Sequence, residues 1–424
     1  MDRGALRQGL SVLLAIVGLV GCAGSGSTPV VAPAWTGAPY APATNGTTPS
    51  AAALATLGRA LFFDPLLSSS GKVACASCHD PGFAFGPPNA LPVQLAGADG
   101  ATQGLRAAPT LRYLQTLPAF TEHYFDNDGD DSQDRGPTGG HAWDGRADSA
   151  HAQARLPLLS GSEMANASPR DVVERLSNSR HAGDFRRAFG ERVFASPDRA
   201  FDATLMALEV FMQSPGEFYP YSSRYDAVLR GRARLSEQET RGLHLFEDPA
   251  KGNCAICHPS APASDGAFPL FTDFGMVALG VPRNPALSAN RDPAFADLGL
   301  CGPLRSDFAS HGGYCGMFRT PTLRNVAIRR SFFHNGAFAS LREVLRFYAS
   351  RDVQPERFYP RDAGGAVRKF DDLPPRYQAN VNVEPPFGRR VGEPPALTET
   401  EIDDVISFLR TLTDADARLA LPRE

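Results

Sequence analysis

Cysteine and tryptophan are scarce in this chain: its 424 residues hold seven cysteines and two tryptophans. No run of 18 or more apolar residues occurs, which excludes an internal transmembrane helix of ordinary length. Charge of one sign is lacking as well. With 42 basic and 46 acidic residues the formal net charge is −4, so the basic excess that nucleic-acid binding requires is missing and no nucleic-acid partner is expected.

What is present begins at the N-terminus. Arg3 and Arg7 precede the apolar run Leu10 to Gly21, too short to span a bilayer and of the length of a signal-peptide core, so 1–21 reads as an export signal. The run closes as Leu19-Val20-Gly21-Cys22, followed by a tract rich in Gly, Ser, Pro and Ala. This resembles a bacterial lipoprotein signal with Cys22 as the lipidated N-terminus; the alternative is an ordinary cleaved signal with an incidental cysteine. Under either reading 22–50 is a flexible tether. Ala23, without an acidic side chain, implies sorting to the outer membrane, so the expected location is periplasmic and membrane-anchored. About 370 residues remain, room for two or three domains with cores of their own.

Four of the seven cysteines stand in two short motifs, Ala74-Cys75-Ala76-Ser77-Cys78-His79 and Asn253-Cys254-Ala255-Ile256-Cys257-His258. A CxxC pair can be a redox dithiol, half of a zinc site, or the thioether anchor of a c-type haem. Before each motif comes GxxLFxDP, at Gly58 to Pro65 and at Gly242 to Pro249, so the chain carries two copies of one unit. Neither copy has a second ligand pair nearby to complete a zinc site. Long alternating or β-branched runs, which a thioredoxin-like βαβ setting needs, are scarce around both. A histidine directly after the second cysteine, in both copies, is what haem attachment demands. Cys75, Cys78, Cys254 and Cys257 are therefore read as haem anchors, with His79 and His258 as axial iron ligands.

The remainder reads mainly as helix, at Ala51 to Leu61, Pro169 to Leu176, Phe201 to Gln213, Ser236 to Phe246, Ser340 to Tyr348 and Thr398 to Leu412. The expected fold is mainly α, two cytochrome c-like domains at 51–230 and 231–424 meeting around Tyr219 to Leu235. An electron carrier fills the sixth position of its iron with His or Met. Between His79 and Arg106 there is neither, which argues for an open first iron unless His123 or His141 folds back onto it.

Both CxxCH motifs, the WDGRA of Trp143 to Ala147 and the run from Arg319 to Tyr348 together resemble the bacterial dihaem cytochrome c peroxidase and MauG family. That resemblance implies two haem c groups, hydrogen peroxide as substrate and a small c-type cytochrome or cupredoxin as electron donor. It implies Trp143 as the relay between the haems. Ten, fourteen and twenty residues further on, it implies Gln153 and Pro157 as lining of a peroxide pocket and Glu163 as its acid-base group; taken alone, Glu163 would be a solvated loop acid. Fourteen residues after His334 the resemblance puts the sixth ligand of the second iron, methionine in many peroxidases and tyrosine in MauG-like proteins. The residue here is Tyr348, which could instead belong to the apolar face of Leu341, Val344 and Leu345, with Met317 and His311 as competing ligands. A MauG-like oxidase acting on a partner protein, and a pure electron-transfer cytochrome, stand as alternatives to the peroxidase.

One departure concerns calcium. The family's interdomain calcium takes an asparagine side chain where this chain has Ala107, and backbone carbonyls here belonging to Arg329 and Ser331, with arginine replacing the usual threonine. Calcium between the haems is thus doubtful. An inserted FDNDGDDSQD, with Asp126, Asp128, Asp130 and Asp131, has the look of a calcium loop but lacks its sixth-position glycine and twelfth-position glutamate. Cys301 and Cys315 are expected to form a disulfide in an oxidising compartment.

Overall fold

The computed structural model describes residues 49–125 and 134–417. The signal peptide, Cys22, the tether to residue 48 and the acidic insertion from Asp126 to Asp131 lie outside the described residues. Helices dominate: α1 (Ala51–Phe62), the single turn α2 (Cys75–Cys78), α3 (Ala150–Leu159), α4 (Pro169–Ser177), α5 (Ala182–Phe189), α6 (Pro197–Met212), the short α7 (Pro215–Phe218), α8 (Arg224–Leu229), α9 (Glu237–Glu247), α10 (Leu341–Ser350) and α11 (Glu399–Arg410). The described strands form two short antiparallel ribbons, β1 (Leu95–Ala96) with β2 (Thr102–Gln103) and β3 (Met276–Val277) with β4 (Phe318–Arg319). All described residues fall in one unit, Ala43–Glu424.

Local chemistry explains where the helices start. Ser236, Ser340 and Thr398 each accept at the hydroxyl from the backbone N–H of Glu239, Glu343 or Glu401, and each glutamate reaches back to the cap's own N–H. Such reciprocal caps satisfy two otherwise orphaned donors. Helix α3 was not legible in the sequence, because AHAQARLPLL has no apolar stripe and carries Pro157 inside the helix. Ser149 starts it by accepting from Ala152 N–H.

The two copies of the sequence unit build two equivalent halves. Gly58 of α1 crosses α6 so closely that a Cβ there would sit 1.8 Å from Ala207 O and 2.9 Å from Phe211 Cβ. Gly242 of α9 crosses α11 in the same way, 2.0 Å from Asp404 O and 2.9 Å from Phe408 Cβ. In each half the helix pair is filled by edge-on aromatic rings. Phe62 meets Phe211 at 5.4 Å and Phe85 at 5.7 Å; Phe246 meets Phe408 at 5.4 Å and Phe271 at 6.2 Å.

A second repeat, Pro109-Thr110-Leu111-Arg112 and Pro321-Thr322-Leu323-Arg324, ties the halves together. Thr110 Oγ1 donates to Ala84 O and Thr322 Oγ1 to Leu270 O, both at 2.6 Å. The two arginines cross over. Arg112, from the first half, donates to Asp414 and Asp416 beyond α11. Arg324, from the second, donates through both terminal nitrogens to buried Asp226 of α8 and lies 4.6 Å over the rings of Tyr113 and Tyr221. Within the stretch Tyr219 to Leu235, Tyr225 packs into the core cluster of Phe246, Phe271 and Phe408. Cys301 and Cys315 are disulfide-bonded.

Candidate active site

Each CxxCH motif is a single turn whose histidine is aimed by a strained aromatic. His79 N–H donates back to Cys75 O at 3.0 Å and His258 N–H to Cys254 O at 2.9 Å, which folds each histidine against its own cysteines. The ring then donates from Nδ1, His79 to Phe85 O at 3.0 Å and His258 to Phe271 O at 2.7 Å. Both phenylalanines are left-handed, φ 54° and 55°, a conformation that costs a non-glycine residue about 1 kcal/mol or more. Those carbonyls also accept from Leu111 and Leu323 of the second repeat, each at 3.2 Å. With Nδ1 committed as donor, Nε2 is left as the ligating nitrogen. Burial pushes both imidazoles down to about 4, so each is neutral near pH 7, the form that binds a metal. The four motif cysteines stay unpaired thiols, pushed up to about 11 or 12 chiefly by burial.

The second motif opens into a deep apolar cavity, walled by Cys254, Cys257 and His258 together with Phe246, Val344 and Tyr348. Two buried donors on its lining have no hydrogen-bond partner among the described residues, Arg319 Nη1 and His334 Nε2. Burial alone pushes Arg319 down to about 10. An apolar slot with a histidine, two thiols and orphaned cationic and imidazole donors fits a flat macrocycle bearing carboxylates, which is the composition of a haem. Tyr348 belongs to that wall. Its hydroxyl has no hydrogen-bond partner among the described residues, and burial followed by the neighbouring Cys257 and Cys254 holds its phenol well above the ordinary value. Met317 and His311 do not line the cavity; His311 is exposed and stacked on Tyr314.

Glu163 is brought to the first motif. It follows α3, and its charge acts on both Cys75 and Cys78. Water reaches it, yet protein encloses it enough that burial raises its carboxyl above the usual range, against the opposing effects of the Arg146 guanidinium and a hydrogen bond from Ser160. Gln153 and Pro157 stand one turn apart on α3. Gln153 lines a separate polar pocket with His141 and Glu209. No contact among the described residues joins His123 or His141 to His79; His123 is exposed and paired with Asp134.

Trp143 is fixed between the halves. Its Nε1–H donates to Ala107 O at 2.7 Å, its carbonyl accepts from Arg319 N–H at 2.8 Å, and it lines the second cavity. The next residue, Asp144, is fully buried and receives Arg106 at 2.7 Å and Arg146 at 2.8 Å, while Arg106 also grips Asp297 through two bonds of 2.7 Å. Gly145 must be glycine: it is left-handed and a Cβ would lie 2.7 Å from Gly139 O. The sequence reading had not singled out Arg106, Arg319 or the crossed Arg112 and Arg324. A search for shorter self-matches would have found the last two, through PTLR.

The sequence profile of the family described as Di-haem cytochrome c peroxidase matches residues 52–234. Among curated proteins the chain is similar to the methylamine utilization protein MauG of Paracoccus denitrificans, 33% identical over 382 residues that cover 86% of this chain and 90% of MauG. The cytochrome c551 peroxidase of Nitrosomonas europaea is 28% identical, over 76% of this chain and 80% of its own length. Among solved structures, the diheme peroxidase BthA of Burkholderia thailandensis is 42% identical, with a TM-score of 0.78, covering 87% of this chain and 88% of BthA. Two matched histidine–dithiol turns in two equivalent halves, with this breadth of similarity, establish that the chain belongs to the dihaem cytochrome c peroxidase and MauG family of oxidoreductases.

Proposed function

We propose that this chain is a dihaem c-type peroxidase that reduces hydrogen peroxide with electrons from a small periplasmic cytochrome or cupredoxin. Held by Cys75, Cys78 and His79 and by Cys254, Cys257 and His258, the two haems would supply the redox-active iron for that reduction. The observation that supports the reading is the nearness of Glu163 to the first motif, where its charge acts on Cys75 and Cys78 and desolvation by the surrounding protein raises its carboxyl although the side chain is exposed. Reduction of peroxide to water requires a proton to be moved from one peroxide oxygen to the other. A positioned carboxylate with a raised pKa does this as acceptor and then donor. Arg146 acts on Glu163 as its nearby cation, and Pro157 shapes the preceding turn by accepting Met164 N–H at its carbonyl. Trp143, fixed between the halves and lining the second cavity, serves as the relay. Cys22 would anchor the chain to the outer membrane through lipid.

The test is Glu163→Gln. It should leave both haem spectra intact and lower peroxide turnover by roughly two to four orders of magnitude, the scale of a lost acid-base group. It should also erase the acid limb of the rate profile, because Glu163 must be a carboxylate to accept the proton and that form is lost as pH falls through its raised pKa. Near-normal turnover would move the role to His141 or His151. A second reading, a MauG-like oxidase acting on a partner protein, is favoured by Tyr348 on the wall of the second cavity and by the similarity to MauG. Peroxide turnover that saturates with a reduced cytochrome supports the first reading; peroxide reactivity with no donor turnover supports the second.

A further inference from the structure

The calcium that the family resemblance implies between the two haem sites does not fit the residues found there. Ala107 has no side-chain oxygen to offer, and its backbone is already spent: its carbonyl accepts from Trp143 and its N–H donates to His334 O, both at 2.7 Å. The Ser331 carbonyl accepts from Arg329 Nε at 3.3 Å. Arg329 also reaches the other half of the molecule, donating from Nη2 to Ala108 O at 3.1 Å.

Arg329 has unusual surroundings for a cation. It is half-buried on the lining of the second motif's cavity, desolvation pushes it down to about 10, and no carboxylate among the described residues offsets that. Among the described residues its hydrogen-bond partners are the two carbonyls, one from each half. Its charge is felt at His79, and the carbonyl it holds is next in sequence to the one that holds Trp143. Collecting backbone carbonyls from two segments around a positive charge is what a bound hard cation does. A divalent ion placed on the same carbonyls would face the guanidinium at contact distance, where like charges repel strongly.

We propose that Arg329 is the built-in interdomain cation of this protein, taking the Ser331 carbonyl that calcium would need together with the Ala108 carbonyl of the other half, so that the two haem sites are electrostatically set without calcium. It is a positioning residue: it holds 106–109 against 329–331 and places one fixed positive charge beside the first haem site and the anchor of Trp143.

The experiment uses the full holoprotein and reads the electron paramagnetic resonance spectrum and the first haem's midpoint potential, in the chelator EGTA and in excess calcium chloride. These readouts do not depend on peroxide being the substrate, so they can fail or succeed separately from the proposed function. The expected result is no difference between the two conditions. A spectrum or potential that changes with EGTA and recovers with calcium overturns the proposal. The paired variant Arg329→Thr with Ala107→Asn removes the guanidinium and supplies the missing side-chain oxygen. In EGTA it should favour the ferric first haem by about tenfold, a shift of about −59 mV for a one-electron couple, and calcium should reverse the shift. A potential equal to the wild type in EGTA contradicts the charge assignment. If that variant does not fold, Arg329→Lys against Arg329→Gln decides on the same potential. Lysine must hold it near the wild-type value and glutamine must lower it; equal values in the two overturn the proposal.

Discussion

Replacing Gly242 with alanine puts the two-half architecture to a quantitative test. The added Cβ would stand 2.0 Å from Asp404 O, and ordinary contact begins at 3.4 Å, so α9 and α11 must part by about 1.4 Å or bend away from each other. Overpacking of a well-filled site costs about 1–3 kcal/mol, and the better helix propensity of alanine returns at most about 1 kcal/mol. The net expectation is a loss of up to about 3 kcal/mol and a lower thermal unfolding midpoint. The damage should also be directional. Helix α9 is linked to the second motif through Gly252 N–H donating to Leu245 O at 3.1 Å, so the second haem's ferric spectrum should change while the first haem's does not. Gly58→Ala is the mirror experiment, with a Cβ 1.8 Å from Ala207 O and the first haem affected instead. Gly216→Ala is the control, because a Cβ there meets nothing within 4 Å. Thermal melts and visible spectra of the three holoproteins settle the matter. A Gly242→Ala protein as stable as the wild type, with an unchanged second haem, would refute the close-crossing argument.

Tyr348→Phe should change the spectrum of the second haem and leave the first intact, and Tyr348→Met should raise the second haem's potential; unchanged spectra and potentials would make Tyr348 a packing residue of α10. His141 gives a pH dependence. Burial and then the Arg319 charge push its folded pKa down to about 4, below the unfolded value near 6.5, so the unfolded chain binds the proton first. Its contribution is therefore complete above pH 6.5 and is lost as pH falls toward 4, by up to about 3 kcal/mol. In denaturant unfolding of the holoprotein between pH 7 and 4, His141→Gln should flatten that slope; an unaltered slope counts against a neutral buried His141.

Much of this was legible in the sequence because its signals are local. The Ser236, Ser340 and Thr398 caps mark helix starts by chemistry contained within four residues. The GxxLFxDP–CxxCH repeat names the glycine, the aromatic and the histidine of each half, and the structure gives all three the same job twice. What escaped depends on partners far apart in the chain. Arg112 and Asp414 are 302 residues apart, and Arg106 and Asp297 are 191 apart. No spacing rule links such pairs, so the interlock of the halves became visible only in three dimensions. The grouping of Gln153 with His141 and Glu209 was hidden for the same reason.

The proposed function needs an unequal pair of haem sites, the first open for peroxide beside Glu163 and the second with its sixth position filled, for which Tyr348 is the candidate. An electron paramagnetic resonance spectrum of the fully oxidised holoprotein tests it most directly. The account predicts a high-spin ferric signal from the site of His79 together with a low-spin ferric signal from the site of His258, and loss of the high-spin signal on addition of a small anionic iron ligand. Low-spin signals alone, with no high-spin component, would mean that both sixth positions are filled by the protein and would contradict the peroxidase reading.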